Sequence, residues 1–143
     1  MPIQLLYAAA VFTSAFLLFQ VQPLISKAIL PWFGGTPAVW TTCMLFFQTV
    51  LLGGYAYAHL LREKVRPSRQ VIIHVGAVLI AFALLPILPG AEWKPVNPQY
   101  PVLRILLVLA VSVGIPYFLL STTGPLLQAW YSMTSTGEQP YRL

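Results

Sequence analysis

The chain has 143 residues, of which 58% are hydrophobic and 8% charged, with a net charge of +5. Soluble domains carry roughly 25% charged residues, so this composition excludes an ordinary water-soluble globule and requires lipid or partner helices around a single domain. It also excludes a nucleic-acid binder, because the few basic residues sit between apolar runs and form no basic face interleaved with aromatics.

Four apolar runs follow in chain order, at about 3–30, 38–61, 71–88 and 102–120. Each is near the ~20 residues that cross a bilayer as a helix. They predict an all-α fold: a polytopic transmembrane helical bundle with four spanning helices, forming one domain over 1–143. The first run has no Lys or Arg before Phe12 and is long for a signal-peptide core, so a retained helix is expected, with a cleaved leader as the alternative. Within it Gln20, Pro23 and Lys27 share a face. Pro23 either ends this helix or kinks it, as in the broken helices around transporter substrate sites.

A tight turn, Pro31-Trp32-Phe33-Gly34-Gly35-Thr36-Pro37, leads to the second run and makes the first two helices antiparallel neighbours. Along the second run Thr41, Gln48, Tyr55 and His59 are spaced by seven, seven and four, so they lie on one helical face. An unsatisfied polar group in lipid costs several kcal/mol, so this face is expected to look at protein or water. Two readings follow: a polar substrate path, or interhelical hydrogen bonds that fix packing. Trp40 adds a ring face that could meet a cation. His59 is either a proton carrier or an interfacial histidine beside the basic loop, and His74 stands in the same position at the start of the third run. Gly53, Gly54, Ala56 and Ala58 offer small residues for close helix contact.

The loop 62–69 holds Arg62, Lys64, Arg66 and Arg69, which places it in the cytoplasm by the positive-inside rule, together with both termini. The third run ends in a Pro-rich loop with Glu92, Trp93 and Lys94. After the fourth run, Ser121-Thr122-Thr123-Gly124-Pro125 is expected to break the helix ahead of an amphipathic tail within 121–143.

Catalysis has no visible basis in these residues. There is no Asp, and the three acids, Glu63, Glu92 and Glu138, lie outside the apolar runs, so neither a Ser/His/Asp set nor a pair of carboxylates is at hand. Cys43 is the single cysteine, and two histidines without an acid or thiol companion make no metal site. No cofactor is expected.

The stretch FQVQPLISKAILPWFGGTPAVWTTCMLFFQTVLLGGYAYAHLL, with STTGPLLQAW and the closing PYRL, resembles the start of bacterial fused transporter/spermidine synthase-like membrane proteins. The resemblance implies a major-facilitator-like membrane part, here only partial, in the bacterial inner membrane, and a synthase-like cytoplasmic domain as a further part or partner. It thereby makes the chain a fragment of a longer protein. No residue of an aminopropyltransferase site can be carried over to this chain. The expected function is a noncatalytic membrane bundle, partnered by lipid and by other helices or further copies. A transporter element with candidate path residues Gln20, Lys27, Trp40, Thr41, Gln48, Tyr55 and His59 is one alternative. A membrane-bound aminopropyltransferase, completed by a synthase-like half, is the other.

Overall fold

A computed structural model describes residues 3–83, 85–94 and 100–134. The closing PYRL, the tail 135–143 and the loop segment 95–99 lie outside the described residues. The described chain is helical throughout its regular structure: α1 (Ile3–Phe33), α2 (Pro37–Lys64), α3 (Pro67–Ala83), a single 3-10 turn at Ala91–Trp93, α4 (Pro101–Leu109) and α5 (Ile115–Thr134). A π-helical turn, Ala110–Gly114, joins α4 to α5. Three helices are long and apolar enough to cross a membrane: Ile3–Phe33, Pro37–Lys64 and Pro101–Met133. By length and composition this is the architecture of a membrane protein.

Each boundary has a local cause. Gly34 turns the chain after α1 with a φ of 79°, a conformation that glycine adopts without a steric cost. Pro37 then opens α2, its fixed φ suiting the first helical position, where an N–H would have no partner. Pro67 opens α3 in the same way after Val65 caps α2.

The third apolar run behaves differently from its expected 71–88 extent. Its helix starts earlier, at Pro67, and stops at Ala83. Seventeen residues at 1.5 Å rise give about 25 Å, short of a ~30 Å hydrocarbon core. Pro86 disfavours helix in the residue before it and cannot donate a helical hydrogen bond, so the apolar residues beyond continue as irregular chain. Ile87 and Trp93 fold back against the main core.

Two helices run longer than expected. α1 continues through Pro23, as the 3–30 run allows, and also takes in Pro31, Trp32 and Phe33, which were expected in the turn. The fourth helix does not end at Leu120, because α5 continues through Gly124 and Pro125 to Thr134. Without water to receive freed backbone groups, a helix inside a bundle or a bilayer keeps its internal bonds and tolerates proline. Ser121, Thr122 and Thr123 reinforce that stretch by donating to the carbonyls of Phe118, Leu119 and Leu119 at 2.6, 2.7 and 2.8 Å.

The main core lies between α1, α2 and the α4–α5 unit, with Ile25, Ile29, Cys43, Phe47, Ile105, Leu109, Val113 and Tyr117 fully enclosed. α1 runs antiparallel to α5: Tyr7 meets Tyr131, and the Ser14 hydroxyl donates to the Leu120 carbonyl at 3.2 Å. α2 runs parallel to α5, with Phe47 against Tyr117 and, farther along both, Ala58 and Leu61 against Leu126. α3 stands beside α5 at the end of the bundle that carries Arg62, Lys64, Arg66 and Arg69.

Candidate functional site

Polar side chains occupy two sets of positions, one inside the bundle and one on its outer surface. The inner set begins on α3, where Gln70 and His74 stand one helical turn apart on the buried face. The Gln70 amide nitrogen donates to the Val65 carbonyl at 2.6 Å, and its oxygen accepts from the Trp130 indole N–H at 2.9 Å. One side chain therefore ties the α2–α3 turn to α5. The His74 Nε2 lies 3.1 Å from the Thr123 hydroxyl. Since Thr123 donates its own proton to Leu119, its oxygen accepts from His74, which assigns the proton to Nε2. The other ring nitrogen, Nδ1, is buried with no hydrogen-bond partner among the described residues. Across the bundle the Gln22 amide donates to the Tyr117 hydroxyl, joining α1 to α5.

Gln70, His74 and Gln22 each bond to a residue of α5, and these three bonds fasten helix to helix. The i, i+4 spacing of Gln70 and His74 was a readable signal for a shared polar face. Their partners, Trp130 and Thr123, lie 60 and 49 residues away and could not be read from spacing.

The sequence-predicted candidates form the outer set. Thr41, Gln48, Tyr55 and His59 do share one face of α2, and that face points away from the bundle: all four are exposed, as is Trp40. The buried face of α2 lies opposite and carries Val39, Cys43, Phe47, Gly54, Ala58 and Leu61. Thr41 satisfies its hydroxyl within its own helix, donating to the Pro37 carbonyl at 2.9 Å. His59 sits 3.3 Å from Glu63, one turn on, in an exposed pair. Gln48 makes no hydrogen bond among the described residues. Gln20 and Lys27 are exposed on α1 and are not bonded to the α2 row. The small residues divide as well: Gly54 and Ala58 are buried, Gly53 is accessible at the edge beside the Phe118 ring of α5, and Ala56 is exposed.

An apolar groove of about 750 Å³ runs between α1, α3 and α5, lined by residues that include Ala10, Leu17, Val78, Phe82, Ile87 and Leu120. None of the predicted candidates lines it. Among the described residues no three His, Cys, Asp or Glu side chains gather where a metal ion could be held.

Comparison with family models, with curated proteins and with solved structures finds no match to this chain.

Proposed function

We propose that this chain is a noncatalytic membrane bundle whose task is to join further helices in the bilayer. One observation carries the reading. The row Thr41, Gln48, Tyr55 and His59 lies on the side of α2 opposite the core, where a lone bundle would present it to acyl chains. Lipid offers no hydrogen-bond partners, so a polar row facing it is stable only against other helices or a water-filled space. In this reading the inner polar groups serve internal architecture and the outer row serves assembly. The resemblance to fused transporter/spermidine synthase-like proteins extends it. The basic loop and both termini then face the bacterial cytoplasm, where a synthase-like domain would be anchored.

Purified whole chain in mild detergent is expected to run as an assembly above the monomer and to dissociate on dilution. A monodisperse monomer over the whole dilution range, or one that stays monomeric in vesicles, overturns the reading.

The same row supports a second reading, a transporter element with a polar path along α2. From Thr41 to His59 it extends over eighteen residues, about 27 Å, most of a hydrocarbon core. The row itself carries no carboxylate for a polycation, and the nearest acid, the exposed Glu63, lies beside its end at 3.3 Å from His59. Ring faces such as Trp40 contribute only about 0.5–2 kcal/mol each, against about 8 kcal/mol for micromolar affinity. Calorimetry is therefore expected to find spermidine bound no better than millimolar, with no aminopropyl transfer. Saturable micromolar binding that Trp40→Ala abolishes would make the row a cation path instead.

A further inference from the structure

The outer face of α2 carries more order than its polar row alone. Thr41, Leu45, Gln48, Leu52, Tyr55 and His59 follow one another at spacings of four, three, four, three and four. That is the 3.5-residue repeat of a left-handed helix pair, in which alternate positions form a straight seam along a partner. All six side chains are exposed, with Leu45 at 60% and Leu52 at 71%, and of the six only Tyr55 reaches toward the core among the described residues, within electrostatic range of Tyr117. Leucine fills one set of alternate positions up to His59, and hydrogen-bonding groups fill the other.

Resting on the assembly reading above, we infer that the occupant is a second copy of this chain, packed α2 against α2 about a twofold axis along the membrane normal. Copies inserted in one orientation meet in parallel, so each seam residue faces its own counterpart at the same depth. That arrangement suits the residues present. Gln48 lies near the middle of α2, and an amide both donates and accepts, so two Gln48 side chains satisfy one another. The hydroxyls of Thr41 and Tyr55 are likewise self-complementary. Leu45 and Leu52 meet as like apolar pairs, and the small Ala56 beside them leaves room for close approach. No Lys or Arg lies on the seam, and the histidine at its end is already beside Glu63. Arg62 and Lys64 flank it in the last turn of α2, at the polar loop, where salt screens their repulsion. Acyl chains cannot pair with Gln48. An unrelated helix would need an amide-matching group at the same depth and register, whereas a second copy brings one by symmetry.

The test is oxidative cross-linking of the whole chain in its membrane, in a Cys43→Ala background. Single cysteines are placed along the seam at positions 41, 45, 48, 52, 55 and 59, with Phe19→Cys and Phe82→Cys as exposed controls on α1 and α3. Disulfide-linked dimer is expected at the seam positions, at least fivefold above the controls. In dilution-dependent energy transfer, Gln48→Leu is expected to weaken the dimer about threefold to twentyfold, the range for losing interhelical hydrogen bonds. Gln48→Asn, which keeps the amide, is expected to retain more of it. Gln48 is exposed and makes no hydrogen bond among the described residues, so both variants are expected to keep the fold. Equal cross-linking at seam and control positions would mean random collision and overturns the inference. An adduct with a different protein at the seam overturns the second copy while the assembly reading stands. A monomer under every condition overturns both.

Discussion

The contact between α2 and α5 is apolar and interlocked, whereas α3 rests on α5 through two hydrogen-bonded polar side chains. Along the first, Phe47 stacks edge-on against Tyr117 with ring centroids 4.9 Å apart, and Gly54 and Ala58, four residues apart, let the backbones approach. A Cβ added at Gly54 would overlap the Ser121 hydroxyl and sit 3.2 Å from the Phe118 carbonyl oxygen. Along the second, Gln70, His74 and Ala81 are the buried residues of α3, and Ile72, Leu79 and Ile80 are exposed. Lipid tails are as apolar as leucine, so apolar surface alone does not bring helices together in a bilayer. Close shape matching holds one contact and directed hydrogen bonds hold the other. The first should fail when shape changes, the second when polarity does.

The largest effect is expected from Gly54→Leu. A leucine there drives α2 off α5, and overpacking of this kind costs about 1–3 kcal/mol or more. Denaturant titration in detergent should show a lowered midpoint and a broadened transition. An unchanged midpoint would break the claim that α2 and α5 are interlocked.

Phe47→Ala comes next. It leaves a cavity beside Tyr117 without changing polarity, and a loss of up to about 3 kcal/mol is expected. That is the low end for an aromatic truncation, because lipid replaces water as the surroundings of the separated helices. The same titration measures it.

A smaller and more local effect is expected from Gln70→Leu combined with His74→Leu. Interhelical hydrogen bonds in membranes average about 0.6 kcal/mol each, so the global midpoint should fall by only about 1 kcal/mol. The distinguishing signal is local: a cysteine at Ala81, in a Cys43→Ala background, should react faster with maleimide once α3 is released. If global stability collapses while Ala81 stays protected, polar fastening of α3 is wrong and the contrast between the two contacts disappears.

How much of this could be read from the chain depends on the kind of information each feature needs. Membrane character needs only composition and run length, which are local. The shared face of Thr41, Gln48, Tyr55 and His59 needs only the helical period, and the structure puts them on one face. The direction of that face is another matter. In water, apolar periodicity points inward, because the outside must be polar. In lipid both sides of a helix are apolar, so the period locates the row without orienting it. The expected substrate-path residues accordingly turned up on the outer surface. The stop at Leu120 failed for a related reason: Gly124-Pro125 breaks helices that can trade backbone bonds with water, and here the helix keeps them within itself.

By itself, then, the chain determined that it is built of apolar helices, where two of its turns fall and which polar residues stand in line. These follow from backbone chemistry and a 3.6-residue repeat. Only the tertiary structure decided that Gln70 meets Trp130, that His74 meets Thr123, and that the polar line of α2 is turned away from its own core. Those facts depend on which distant segments come to lie side by side, and no local pattern encodes that pairing when most of each helix surface is nearly as apolar as the lipid around it.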